Sequence, residues 1–214
     1  MQESFRKKIK QLIPKKFLIQ KLDSRASNCI LFTFDDSPHP EITPVILKKL
    51  EVYEARAIFF IPGRCVEKAP HVLTLIQDQG HIIGNHTYIH SRGRQPWFGA
   101  YWRDLIRCQA IIKRYTGKKP ELFRPAGGQI SPTSLLVPWL MGLKTVTWSL
   151  EVNDWRFKTA SEAEYGAKDL ANKIASRDIV LLHDDNPFII QILDMILPMI
   201  RERKFDLYSG IDFI

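Results

Sequence analysis

Short apolar segments alternate with helical segments along most of this 214-residue chain, starting at about residue 28. Helical patterns occupy 42–53, 70–79, 98–115, 132–141, 160–176 and 187–203. Strands are predicted around them at 28–34, 57–61, 81–85, 121–124, 144–149, 179–183 and 205–208. A repeated strand-then-helix order implies parallel strands. About seven such units favour an α/β fold closed into a TIM-barrel-like (β/α) barrel over an open sheet.

Positive charge is concentrated at the N-terminus. The net charge is +8, and residues 1–21 contribute +6 of it, because seven lysines and arginines stand there against Glu3 alone. The rest of the chain is nearly neutral, which argues against a nucleic-acid-binding surface. We therefore expect a basic amphipathic segment at 1–27 and one main domain at 28–214, which is long enough to bury a full hydrophobic core.

The N-terminal segment has the pattern of a short helix that ends at Pro14. Apolar residues recur at helical spacing at Phe5, Ile9, Leu12 and Ile13. The cations lie on the opposite face of this helix. One interpretation is that residues 1–21 bind peripherally to the anionic inner face of the cytoplasmic membrane. The other is a first helix packed on the barrel. The segment lacks the long apolar core of a secretory signal, so we expect a cytoplasmic protein, peripheral to that membrane under the first interpretation.

Polar residues that suit catalysis follow several of the predicted strands. Asp35 and Asp36 end a buried strand, and two adjacent carboxylates require a positive partner such as a metal or an arginine. His86 and His90 share one face of a helix or a helical turn, a spacing that suits a single metal ion. Arg124, Asp154 and His183 follow later strands. In a parallel barrel these strand ends meet, so the sequence predicts one site.

Five motifs together resemble those of the polysaccharide deacetylases with a NodB-type catalytic domain, carbohydrate esterase family 4. In chain order they are Thr33-Phe-Asp-Asp-Ser-Pro38, His86-xxx-His90, Arg124-Pro-x-x-Gly128, Asp154-Trp155 and Leu181-Leu-His-Asp184. The resemblance runs from about Asn28 to the C-terminus. It implies a distorted (β/α) barrel with fewer units than eight. It also implies a metal-dependent hydrolase that removes an N-acetyl group from an amino sugar of a polysaccharide, an oligosaccharide or a lipid-linked glycan precursor.

The same resemblance implies roles for individual residues. The ligands of one divalent metal, most plainly zinc with cobalt or manganese as alternatives, would be Asp36, His86 and His90. Asp35 would be the general base and Arg124 its counter-ion. His183 would protonate the leaving amine, with Asp154 orienting it and Trp155 forming a wall of the pocket. The backbone N–H of Gly127 would stabilise the oxyanion.

The chain departs from the family pattern at three positions. Gly127 stands where the family usually has an aromatic residue, so we expect a more open site or weaker substrate packing. Ser37 replaces the usual glycine after the aspartate pair, and Glu151 stands where aspartate is common. None of these changes removes an expected metal ligand, base or acid, so an active enzyme is favoured.

The substrate is less constrained by the sequence. Arg92 and Arg94 come two and four residues after His90, and they would suit a phosphate near the site. Trp97 begins an aromatic stripe that suits either sugar stacking or core packing. These residues motivate the hypothesis of an N-acylated amino sugar on a lipid or nucleotide phosphate carrier. A deformylase and a catalytically silent carbohydrate-binding protein are the alternatives.

Overall fold

The computed structural model describes residues 13–90 and 97–214, and these form one seven-stranded parallel sheet surrounded by helices. The strands are β1 (Leu31–Asp35), β2 (Ala57–Ile61), β3 (Ile82–Asn85), β4 (Leu122–Phe123), β5 (Lys144–Thr145), β6 (Leu150–Glu151) and β7 (Ile179–His183). Their order in the sheet is β5-β4-β3-β2-β1-β7-β6. Every pairing between them is parallel. The predicted parallel α/β fold is therefore confirmed.

In the described residues, six helices lie between these strands and a seventh follows β7. They are α1 (Ile42–Val52), α2 (Gly63–Val66), α3 (Pro70–Asp78), α4 (Phe98–Thr116), α5 (Pro132–Leu140), α6 (Ala160–Lys173) and α7 (Phe188–Glu202). All six predicted helices are present, with ends that differ by at most three residues. The four-residue helix α2 and the short 3₁₀ turns at Ala126–Gly128, Asp154–Arg156 and Ser209–Phe213 were not predicted, because one turn is too short to show a period.

One extended segment, residues 144–151, closes the barrel. It begins as β5, pairing with β4, and it ends as β6, pairing with β7, so the two edges of the sheet belong to one stretch of chain. Ile19 lies beside the middle of this segment. Its N–H donates to the Thr145 carbonyl at 2.8 Å, and its carbonyl accepts from the Thr147 N–H at 2.8 Å. Of the single strand predicted at 144–149, only residues 144–145 form a strand, and β6 begins one residue after the predicted end.

The prediction of a strand at 205–208 is wrong. Only Asp206 forms a bridge there, with Cys29. The Ile30 N–H donates to the Asp206 carbonyl at 3.0 Å, and the Arg56 N–H donates to the Leu207 carbonyl at 2.9 Å. This segment therefore lies between the N-terminal starts of β1 and β2. It cannot extend as a strand, because β1 and β2 pair directly with each other from Phe32 onward.

Both faces of the central strands are buried, as is usual for a parallel sheet with covered faces. Every residue of β1, β2 and β7 is buried. Leu18, Leu22 and Ala26 are also buried, and the last two join the cluster of Leu31, Ile58 and other strand residues. Part of the segment predicted to precede the main domain therefore packs against the barrel. The division at residue 28 stays a prediction, and most of the predicted N-terminal helix lies outside the described residues.

In residues 13–90 and 97–214, none of the helices has the length and the apolar composition needed to cross a membrane.

Candidate metal centre

The carboxyl ends of the strands bring the predicted site residues together. Asp35 ends β1 and pairs in register with His183 at the end of β7. His86 follows β3, Arg124 follows β4, and Asp154 lies three residues after β6. Parallel strands place these ends at the same mouth of the barrel, where the active sites of (β/α) barrels are found.

Asp36, His86 and His90 form a group of potential metal ligands. One ligand atom from each side chain lies within 4.8 Å of the others. The two histidine Nε2 atoms are 3.1 Å apart, and the Asp36 Oδ1 atom is 3.2 Å from the Nε2 atom of His90. Three donor atoms therefore converge on one position. It is the sole group of this kind among residues 13–90 and 97–214.

The donor set fits a divalent cation. His86 Nδ1 is 2.7 Å from the Arg124 carbonyl oxygen, a contact in which the ring N–H donates. This hydrogen bond places the proton on Nδ1 and leaves the lone pair of Nε2 directed at the other ligands. Two imidazole nitrogens and one carboxylate oxygen are a common ligand set of catalytic zinc sites, which leave a position open. The residues present therefore fit the metal that the sequence predicts.

Residues 86–90 do not form the helical turn that the i,i+4 spacing predicts. They follow β3 as an irregular loop, with left-handed backbone at Thr87 (φ 65°) and His90 (φ 54°). Asp104 on α4 holds this loop, because its carboxylate accepts from the N–H groups of Tyr88 at 2.8 Å and Ile89 at 3.2 Å. The two histidines thus meet through a loop that is anchored by a distant helix.

Asp35 and Arg124 form a buried ion pair beside the ligand group. Asp35 Oδ1 accepts from Arg124 Nη1 at 2.7 Å, and Asp35 Oδ2 is 3.5 Å from the His86 Nε2 atom. Burial by itself raises the pKa of Asp35, but Arg124, His86 and His183 outweigh it, so the pKa lies below its ordinary value. Asp35 is therefore a carboxylate at neutral pH.

Arg124 is fully buried, and its guanidinium joins several parts of the barrel. Besides Asp35, it donates to the Thr33 hydroxyl at 2.8 Å and to the carbonyls of Val146 at 3.2 Å and Thr147 at 3.0 Å. Its Cζ atom lies 4.1 Å from the centroid of the Phe60 ring. Burial lowers the pKa of Arg124, and the Asp35 carboxylate opposes that shift. The same side chain thus neutralises Asp35 and holds the segment that closes the barrel.

Asp154 and His183 form a second pair. The Asp154 carboxylate accepts twice from His183, from the backbone N–H at 2.7 Å and from ring Nδ1 at 3.0 Å. Burial by itself lowers the pKa of His183, but Asp154 and, more weakly, Asp35 and Asp36 outweigh it and raise the pKa to about 9. His183 is therefore protonated at neutral pH, with its Nε2 side left for another partner.

Gly127 lies in the 3₁₀ turn that follows Arg124. Its φ of +59° is in the left-handed region, and a Cβ built there has no heavy atom within 4 Å. The neighbouring Gly128 N–H donates to the Pro125 carbonyl at 2.9 Å, while the Gly127 N–H has no acceptor within the described part of the chain. The space that an aromatic side chain would occupy is open.

A cavity of about 610 Å³ lies beside the ligand group. Its lining includes Asp36, His90, Arg64, Lys68 and Asp185. The predicted substrate residues Trp155 and Trp97 are both exposed and do not line this cavity. The other two, Arg92 and Arg94, lie outside the described residues.

The sequence did not indicate three further contacts around the site. Thr33 Oγ1 accepts from Arg124 and donates to the Val180 carbonyl at 2.8 Å. It stands two residues before Asp35, so the strand period of two would have placed it on the same face. Asp184 is fully buried, and its carboxylate accepts a hydrogen bond from the Thr43 hydroxyl. Burial raises the pKa of Asp184 to about 7. Asp104 gave no signal, because it lies on a helix with no motif around it.

Comparison with known families supports these observations. The polysaccharide deacetylase family model matches residues 23–146, more than half of the chain. Two peptidoglycan N-acetylglucosamine deacetylases of Bacillus cereus are 31% and 32% identical to the chain. The first match covers 81% of this chain and 64% of the relative, and the second covers 82% and 83%. A chitooligosaccharide deacetylase of Azorhizobium caulinodans is 31% identical, with 74% of each chain covered. The chain thus spans just under two thirds of the first relative.

Solved structures with the same fold include an enzyme and a pseudoenzyme. The Bc1960 peptidoglycan N-acetylglucosamine deacetylase is similar with a TM-score of 0.81, 27% identity and 88% coverage of both chains. A CE4 family pseudoenzyme from Bacillus anthracis has a TM-score of 0.80 at 21% identity, over 88% of this chain and 66% of that one. Because the enzyme and the pseudoenzyme resemble this fold almost equally, only the side chains at the site can distinguish an active enzyme from an inactive relative.

Proposed function

Because the chain belongs to the polysaccharide deacetylase family, we propose that it is a metal-dependent hydrolase that removes the N-acetyl group from an amino sugar of a polysaccharide, an oligosaccharide or a lipid-linked glycan precursor. One observation carries the proposal: the ligand group, the Asp35–Arg124 pair and the Asp154–His183 pair meet at one mouth of the barrel. Amide hydrolysis requires these parts, a Lewis acid site, a base and an acid.

Asp36, His86 and His90 would hold one divalent cation. Zinc is the proposed metal, with cobalt and manganese as alternatives, since imidazole and carboxylate ligands suit all three. Bound there, the cation supplies Lewis acidity, which lowers the pKa of water and stabilises negative charge on a carbonyl oxygen. The Arg124 carbonyl supports this set by fixing the orientation of the His86 ring.

Asp35 acts as the general base. Its Oδ1 atom is held by Arg124, while its Oδ2 atom faces the His86 side of the ligand group. The lowered pKa keeps the carboxylate ionised, so it can accept a proton from the attacking water at neutral pH. Arg124 positions the base and prevents it from rotating away.

His183 acts as the general acid. Asp154 accepts from its Nδ1–H and its backbone N–H, which fixes the ring and leaves Nε2 as the proton donor. The raised pKa keeps the ring protonated, so it can donate a proton to the leaving amine. Without that proton the nitrogen would leave as an amide anion, which is a poor leaving group. Asp154 serves as a positioning residue, because it holds the His183 ring.

The Gly127 N–H is the proposed backbone donor to the oxyanion, and the open space above it leaves room around the acyl group. The identity of the acyl group is therefore tested by a separate measurement. Comparing N-formyl, N-acetyl and N-propionyl glucosamine oligomers would separate a deacetylase from a deformylase. The proposal predicts the highest kcat/KM for the N-acetyl substrate.

Two cations favour a substrate with a negative group. Arg64 and Lys68 line the cavity together with Asp36, His90 and Asp185. A divalent cation on Asp36 would offset the two carboxylates and leave the lining positive, as expected if a phosphate lies near the site. Replacing both cations by glutamine should lower kcat/KM for a phosphate-linked amino sugar and leave that for a neutral chitooligosaccharide unchanged. An equal loss on both substrates would contradict a role for these cations in binding an anion.

The first experiment measures acetate release from peptidoglycan and chitooligosaccharides by the zinc-loaded protein. Asp35→Asn should lower the rate by about 10²-fold or more, because the base is lost. Asp194→Asn is the matched control, since it makes the same chemical change at an exposed carboxylate paired with Lys49. A zinc-loaded wild type that binds these glycans but releases no acyl group would favour the catalytically silent alternative.

A further inference from the structure

Helix α5 exposes an apolar surface that carries no charge. Leu136, Trp139 and Leu140 are 44%, 46% and 54% exposed. Residues 125–143 contain no lysine, arginine, aspartate or glutamate, although charged residues make up 25% of the chain. A surface helix normally presents polar side chains to water. The exposed face of α5 is therefore typical of a surface that contacts another protein or a membrane.

Phe17 extends this surface across a second segment. Its ring centroid lies 5.4 Å from that of Trp139, so the N-terminal segment and α5 form one patch. We call Phe17, Leu136, Trp139 and Leu140 the α5 patch. Leu136, Trp139 and Leu140 lie within about one turn of α5, and with the Phe17 ring they are suited to the boundary between lipid headgroups and acyl chains.

Positive charge borders the α5 patch. Lys15 and Lys16 are exposed and directly precede Phe17, and the Nζ atom of Lys16 lies 5.0 Å from the centroid of its ring. By sequence, residues 1–21 carry a net charge of +6. An apolar patch with a cationic border is complementary to an anionic bilayer, where each basic residue near the surface adds attraction.

We propose that the α5 patch docks the protein onto an anionic lipid surface, with leucine and aromatic side chains entering the interface and the lysines contacting headgroups. The proposal is independent of the hydrolase activity. A second copy of the chain is a poorer occupant, because a two-fold contact would bring Lys15 and Lys16 of the two copies together. The chain's own residues 1–12, which include Phe5 and Ile9, are the remaining alternative.

Vesicle flotation with the full chain tests the proposal. Vesicles of phosphatidylglycerol mixed with phosphatidylcholine should retain the wild type at low salt, and vesicles of phosphatidylcholine alone should not. Lys15→Gln with Lys16→Gln should weaken retention by about fivefold per lysine. Leu140→Glu should weaken it by about tenfold or more, because a charge would enter the apolar boundary. Tyr165→Glu makes a similar change at a 75% exposed position on α6 and should leave retention unchanged.

Folding of each variant is checked by its unfolding midpoint and its zinc content. Three results would overturn the proposal. The wild type could show no retention on anionic vesicles at low salt. Retention could depend on the lysines and not on Leu140, which would indicate adsorption by the basic segment alone. Leu140→Glu could disperse a dimer, or lower the unfolding midpoint without affecting retention, and either result would identify a protein occupant of the patch.

Discussion

Replacing Arg124 by lysine keeps a positive charge beside Asp35 but removes the planar guanidinium that reaches four acceptors. Lysine donates hydrogen bonds from one ammonium nitrogen, which can stay near Asp35 and Thr33. The carbonyls of Val146 and Thr147 then lose their donor. Those carbonyls belong to the segment between β5 and β6 that closes the barrel. The substitution therefore tests whether Arg124 stabilises that closure.

The expected loss of stability follows from two hydrogen bonds. Each is donated by a charged group to a buried carbonyl and contributes about 1.5–3 kcal/mol, so Arg124→Lys should lower the free energy of unfolding by about 3–6 kcal/mol. For a chain of this size the unfolding midpoint falls by about 2–4 °C per kcal/mol. We therefore expect a decrease of roughly 6–24 °C.

Urea unfolding of the metal-free protein, followed by circular dichroism, measures this loss without a contribution from metal binding. Arg203→Lys is the matched control, because Arg203 also donates to two carbonyls, those of Ala171 at 2.7 Å and Ile174 at 2.8 Å. Arg203 is exposed, so water can replace its bonds, and the loss should stay below about 1 kcal/mol. Equal small losses in both variants would refute the argument that Arg124 holds the closing segment.

Three further predictions concern the site and the opposite end of the barrel. Elemental analysis should find about one divalent metal per wild-type chain and almost none on His90→Ala, and full retention in the variant would contradict the proposed ligand set. Asp154→Asn should lower the pKa of His183 from about 9 towards its ordinary value, because the paired anion is removed; an NMR titration of the metal-free protein measures this, and an unchanged pKa would show that Asp154 is not the cause. Burial, together with Arg56, lowers the pKa of His81 from 6.5 to about 4. Between pH 6.5 and about pH 4, His81 binds a proton in the unfolded chain but not in the folded chain. The free energy of unfolding should therefore fall by about 1.4 kcal/mol for each pH unit of acidification in this range. His81→Asn should be less sensitive to acid than the wild type when the free energy of unfolding is compared at pH 7 and pH 5, and equal sensitivity would count against a neutral, buried His81.

The sequence alone determined the helices, the parallel order and the positions of the chemical groups. Helix periodicity is a local property, so the ends of α4 and α7 are predicted within one residue. The repeated strand–helix order implies that strand ends meet, which explains why Asp35, Arg124 and His183 could be assigned to one site before their distances were known. The five motifs added the expected roles.

The tertiary structure decided which groups are partners. The irregular loop that joins His86 to His90 depends on Asp104, and the closing segment depends on carbonyl contacts with Arg124. The apolar pattern of α5 did not reveal that one of its faces would remain exposed. A local pattern records the period of a segment, whereas a partner is chosen by burial and hydrogen bonding between residues far apart in the chain. Those energies exist only once the barrel has closed.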